Sequence, residues 1–130
     1  MSRLLSLCTA AVLALSIAMP AQADRLQQQR AQYDQTMSRL NSGQALDPSV
    51  VRSALLQDYP LTPYLVMKDL ENRLSRASTQ EVEAFLVSHG DLPQAQRLKN
   101  RWLNQLASRG DFARLRAHYD STSQNTELDC

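Results

Sequence analysis

The sequence has 130 residues, 43% of them hydrophobic, 21% charged and 5% aromatic. That is the size of one small domain and argues against a two-domain enzyme. Three glycines and five prolines argue against collagen-like or low-complexity character, and a Leu/Ala/Gln/Arg-rich chain with few Val, Ile or Thr favours helix over sheet. With 14 Lys and Arg against 13 Asp and Glu, no net field draws the chain to DNA, RNA or an anionic bilayer, so no nucleic-acid partner is expected.

Residues 1–23 read as a signal peptide. Arg3 supplies the basic start, Leu4 to Met19 the apolar run, and Ala21 and Ala23 the small side chains a signal peptidase accepts, which places cleavage before Asp24. The apolar run is shorter than the roughly 20 residues of a membrane span, so no membrane anchor is expected after cleavage. Removing the segment leaves 107 residues, 24–130, with 13 basic and 13 acidic side chains and one cysteine, Cys130. Export to an oxidising compartment is implied, and a lone terminal cysteine there is incidental, a link between molecules, or half of a disulfide whose partner lies beyond this sequence.

The spacing predicts six short helices. Leu26, Tyr33, Met37 and Leu40 give the first an apolar stripe between Arg25 and Ser42, with Gly43 as a left-handed stop. Asp47-Pro48 caps a short second helix carrying Val50, Val51, Ala54 and Leu55. Tyr59 to Tyr64 is expected to start extended, because each proline disfavours the α conformation before it, and Thr62-Pro63 then caps a third helix bearing Leu65, Val66, Leu70 and Leu74. Ser78 and Glu81 form a capping box for the fourth helix, whose Val82, Phe85 and Leu86 precede the stop at His89-Gly90. Ala95, Leu98, Trp102 and Leu106 mark a fifth, from Pro93 to Arg109. Gly110-Asp111 then stops it and caps a sixth with Phe112, Leu115 and Tyr119, before a polar loop from Asp120 toward Cys130. The fold class is all-α, with stacked antiparallel helix pairs that open an α-superhelix or solenoid; the uneven helix lengths argue against a compact bundle.

The search for chemistry returns no catalytic, cofactor-binding or metal residues. His89, His118 and Cys130 show no metal-ligand spacing, and three scattered glycines build no phosphate loop. His89 reads as a helix-terminus cation and His118 as a surface residue. Glu81 and Glu83, like Asp69 and Glu71, point to different faces of a helix and share no substrate, with Glu81 at a helix start and Glu83 solvated. The basic runs Arg97, Lys99, Arg101 and Arg109, Arg114, Arg116 read as solvated surface. Trp102, Phe112 and Tyr119 occupy core-like positions around Gly110, while Tyr59 and Tyr64 flank a connection a simple helical hairpin would not need.

The segment Tyr59-Pro60-Leu61-Thr62-Pro63-Tyr64-Leu65 resembles the Y-P-L-x-P-Y-L signature of periplasmic soluble lytic transglycosylases. The resemblance extends through Val82-Glu83-Ala84-Phe85-Leu86, Leu92-Pro93-Gln94-Ala95, Trp102 to Ala107, Arg109-Gly110-Asp111-Phe112 and the closing Cys130, over nearly all of residues 25–130. It implies the first part of a long α-superhelical domain, with Tyr59, Pro60, Leu61, Pro63, Tyr64, Trp102, Gly110, Asp111 and Phe112 as structural signature residues and Cys130 as half of a disulfide to a later cysteine. In that family a separate lysozyme-like domain cleaves peptidoglycan: a Glu followed by Ser protonates the bond between N-acetylmuramic acid and N-acetylglucosamine, and the muramyl 6-hydroxyl closes a 1,6-anhydro ring. Here Glu71, Glu81, Glu83 and Glu127 precede Asn72, Val82, Ala84 and Leu128, so the resemblance carries over no catalytic residue. The chain is expected to be an inactive, monomeric segment whose parent meets peptidoglycan through a domain this sequence lacks. The alternative is a stand-alone periplasmic adapter built like a tetratricopeptide helix pair around Trp102, Leu106, Gly110 and Phe112, although no repeat near 34 residues recurs upstream.

Overall fold

The computed structural model describes residues 18–119; residues 1–17, which hold most of the expected signal segment, and residues 120–130, which hold the expected polar loop and Cys130, lie outside the described residues. Among the described residues there are six helices and no strand: α1 (Ala18–Asn41), α2 (Pro48–Val51), α3 (Thr62–Asn72), α4 (Thr79–His89), α5 (Ala95–Ser108) and α6 (Phe112–His118). The all-α reading holds. No described helix is long and apolar enough to cross a membrane.

The helix ends follow local chemistry. Gly43 and Gly110 take positive φ (84° and 75°), and each closes a reciprocal pair of backbone bonds. Gly43 N donates to Leu40 O while Gln44 N donates to Arg39 O; Gly110 N donates to Ala107 O while Asp111 N donates to Leu106 O. Asp47, Ser78 and Asp111 accept from the backbone N–H of Ser49, Glu81 and Arg114, so three of the four expected caps are in place. Gly90 also ends its helix, but in the right-handed region at φ −65°, where an added Cβ would collide with the Leu86 carbonyl.

Three expectations about elements need correction. α1 starts at Ala18 rather than Arg25, since Pro20 falls in its first turn, where an N–H has no intrahelical acceptor to lose. α2 is a single turn, and residues 52–58 continue as linked turns rather than helix. The stripe of α1 is also not purely apolar. Leu26 is 40% exposed, whereas Gln29 and Thr36 are buried. Across from Gln29 the chain presents backbone carbonyls instead of side chains: the Gln29 amide donates to Leu55 O (2.8 Å) and Arg25 donates to Ala54 O (3.0 Å). Burial there requires a donor, which leucine lacks.

Two hydrophobic cores result. Leu40, Leu56, Tyr59 and Leu65 form the smaller, between α1, the turns and α3. Met67, Leu70, Leu74, Ala77, Val82, Phe85, Leu98, Trp102, Leu103 and Leu106 form the larger, among α3, α4 and α5. α3 belongs to both and packs against α1, α2, α4 and α5, which makes it the central layer.

Candidate functional site

Tyr59 to Tyr64 is the hinge between the two cores. Instead of an extended start, Tyr59 to Thr62 form a type I turn: Thr62 N donates to Tyr59 O (3.0 Å), Pro60 fixes the second position, and Leu61 sits at φ −90°, ψ −5°. Thr62 does not cap α3 through its side chain. Its hydroxyl donates to Leu56 O at 2.6 Å, tying the helix to the preceding turn. The helix start still balances, because Thr62 N is used by the turn, Pro63 has no N–H, and Tyr64 N donates to Leu61 O. The Tyr59 ring is buried edge-on against Tyr33, with centroids 5.8 Å apart, while Tyr64, one helical step before Leu65, packs on the larger core. Burial, helped by the neighbouring Tyr59, raises the Tyr33 hydroxyl above its ordinary pKa.

Trp102, Gly110, Asp111 and Phe112 meet at the α5–α6 corner, but they do not share a core. Trp102 is 2% exposed, as its spacing implies. Phe112 is 61% exposed and Tyr119 36%, against the expectation that both are core. They line an open concavity with Leu115 and Arg116. α6 is attached by other contacts: His118 lies edge-on to Trp102 (5.0 Å) and its Nε2 is 3.0 Å from Glu83 Oε1, with Arg114 Nε 3.7 Å from the same oxygen. His118 is therefore not a plain surface residue and Glu83 is not merely solvated, because helix docking brings together residues 35 positions apart. His89 sits at the end of α4, its ring 5.2 Å from Phe85.

Asp69 and the described glutamates are committed to cations. Asp69 accepts from Leu46 N (3.1 Å) and from Arg73 Nε (2.6 Å). Glu81 completes only half of the expected capping box: its N–H meets Ser78 Oγ, but its carboxylate turns to a two-pronged pair with Arg73. That guanidinium holds the Glu81 carboxyl below the usual glutamate range, and the pairing raises Arg73 in turn. Glu71, with 5% of its side chain exposed, pairs with Arg97 Nη2 at 3.1 Å and Nε at 3.3 Å, so Arg97 is not simply solvated surface either. Arg109 donates to Ser75 O at 2.6 Å. Each of the three described glutamates thus faces an arginine or His118, and no buried polar side-chain atom among the described residues lacks a partner. A general acid calls for the opposite environment, a carboxyl kept from cations in apolar surroundings. No group of three or more His, Cys, Asp or Glu among the described residues is placed to hold a metal.

Short stacked helices with paired surface charges, two cores strung along one central helix and an apolar concavity at the last helix define a layered α-helical fold. The chain is homologous to the soluble lytic murein transglycosylases. It is 32% identical to the enzymes of that name from Escherichia coli and Salmonella typhimurium, over 126 residues that make up 95% of this chain. It spans 19% of the length of those curated relatives. It also superposes on an X-ray structure of an inactive mutant of lytic transglycosylase Slt from Pseudomonas aeruginosa, with a TM-score of 0.70 and 49% identity, over 76% of this chain and 16% of that one. No family model matches the sequence.

Proposed function

We propose that this chain is a non-catalytic helical segment of a soluble lytic transglycosylase, the first part of an α-superhelical domain. The parent would cleave the bond between N-acetylmuramic acid and N-acetylglucosamine in peptidoglycan, with 1,6-anhydro ring formation, in the periplasm. Residues 1–23 act as the export signal and residues 24–130 as scaffold; the reacting carboxyl belongs to another domain of the parent. The observation that carries this reading is the commitment of Glu71, Glu81 and Glu83 to Arg97, Arg73 and the His118–Arg114 pair, in a chain homologous to about a fifth of the named enzymes. A carboxylate whose oxygens are taken up by cations is not placed to hand a proton to a glycosidic oxygen.

Incubation of the purified chain with murein sacculi tests it. No soluble anhydromuropeptides are expected, and release above a buffer control would overturn the non-catalytic assignment. The coding sequence beyond Cys130 tests the parentage: a lysozyme-like region with Glu-Ser is expected, and an immediate stop codon would favour a self-contained adapter.

A further inference from the structure

α3 and α5 leave a polar groove between them that the scaffold role does not use. Two cavities, of about 270 and 330 Å³, lie along it and share Glu71 as a wall. The first is bordered by Tyr33 of α1 and Tyr64 and Lys68 of α3, the second by Arg101 of α5. Arg97 lines the first and pairs with Glu71 where the two meet. Tyr64, Lys68 and Glu71 follow one face of α3, and Arg97 and Arg101 one face of α5, so helical spacing alone aligns the two walls. From residue 94 to residue 105, α5 rises about 16 Å along the groove, at 1.5 Å per residue.

The charge is one-sided. Three cations, Lys68, Arg97 and Arg101, surround a single carboxylate that is itself buried. Lys68 and Arg101 form no ion pair with any described residue. Glu71 engages Arg97 through Nε and Nη2 and pins the guanidinium, which remains 64% exposed at the side chain. A pinned, exposed guanidinium is a pre-organised receptor for an external carboxylate, because little rotamer freedom remains to be lost on binding. Two tyrosines at one end add flat amphipathic surfaces against which sugar rings pack. An extended groove that combines positive charge, aromatic faces and amide walls matches an extended ligand of alternating apolar ring faces and carboxylates.

We propose that this groove is a non-catalytic binding site for a glycan strand whose sugars carry carboxylates, separate from any site of bond cleavage. The identity of the strand as peptidoglycan freed of its stem peptides, where the muramyl carboxyls are no longer tied up in amide bonds, rests on the function proposed above. Binding is measured by isothermal calorimetry on the full 130-residue chain, with stem-peptide-free tetrasaccharides alternating N-acetylglucosamine and N-acetylmuramic acid as the probe. Neutral chitotetraose and a short poly-glutamate peptide serve as comparisons. The muramyl tetrasaccharide is expected to bind at least about tenfold tighter than chitotetraose and more tightly than the peptide, with affinity falling as salt is raised. The double charge reversal Lys68→Glu and Arg101→Glu is expected to weaken it by about tenfold or more while circular dichroism and the thermal midpoint stay unchanged. The neutral pair Lys68→Gln and Arg101→Gln should fall between. Absence of binding, equal binding of chitotetraose or of the peptide, or indifference to charge reversal in a folded variant would overturn the proposal. Those failures would leave the sacculus and coding-sequence results standing, so loss of the groove and loss of the parent assignment read separately.

Discussion

Removing Arg97 should destabilise the fold more than removing the charge of its partner Glu71, although the two form one ion pair. Glu71 has 5% of its side chain exposed and Arg97 64%. Arg97→Gln therefore strands a carboxylate in the packed seam between α3 and α5, at a cost of about 1–3 kcal/mol for a buried group left without its partner. Glu71→Gln keeps the shape and an accepting oxygen, and frees a guanidinium that water already reaches, at about 0.5 kcal/mol, in the range of exposed pairs. With about 2 kcal/mol for the first, the double variant should resemble Glu71→Gln, giving a coupling of roughly 2 kcal/mol in a double-mutant cycle. Urea unfolding followed by circular dichroism at neutral pH reads it; at a slope of about 1–2 kcal/mol/M, the Arg97→Gln midpoint should fall by about 1–2 M. If Arg97→Gln is no worse than Glu71→Gln, or the two effects simply add, the inference from asymmetric burial is wrong.

Other outcomes follow from the same contacts. Leu103→Ala, at a fully buried position of the larger core, should cost about 2–5 kcal/mol in urea unfolding, whereas Phe112→Ser, 61% exposed, should change stability by less than about 0.5 kcal/mol. Gly110→Ala should lower stability by about 1 kcal/mol because φ is +75° there, although a Cβ would have room, its nearest neighbour lying 3.9 Å away; an unchanged midpoint would mean that the turn relaxes. Glu81, lowered by Arg73, contributes stability above the usual glutamate range and loses it as pH falls through its lowered value. The acid limb of an unfolding titration should therefore be shallower in Glu81→Gln, with a remainder from Asp47, held down by the Ser49 backbone N–H, and from Asp111, held down by Arg114.

The parts legible in the sequence were those decided within a few residues. Gly43, Gly110, Asp47, Ser78 and Asp111 each act on backbone groups up to five positions away, so their residue type and spacing suffice. Trp102 and Leu98 were legible for a related reason, since helical periodicity selects the face that meets α3 and α4. The failures are non-local. Phe112 shares the register of Leu115, yet α6 docks through His118 on Trp102 and Glu83, and nothing near residue 118 announces a partner 35 positions earlier. Gln29 reads as a surface residue until the carbonyl of Leu55 lies against it. The polar groove was missed for the same reason: Arg97 and Arg101 look like a solvated run along α5 alone, and only the approach of α3 turns them into one wall of a cavity.

The commitment of these carboxylates has a physical origin in how the layers hold together. Apart from the longer α1, the helices run from one turn to about four and offer little apolar area each, and the spaces between their ends are bridged by polar side chains that would otherwise be buried alone. Asp69 joins α3 to Leu46 before α2, Glu71 joins α3 to α5, Glu81 joins α4 to α3, and Glu83 joins α4 to α6. Every one of these carboxylates is held against a donor. A catalytic acid works by retaining its proton near neutral pH, which demands that such donors be absent. One side chain cannot satisfy both conditions. Adding layers of this kind therefore adds surface and reach while tying up carboxylates, which is the physical ground for the proposal that the proton donor belongs to another domain of the parent.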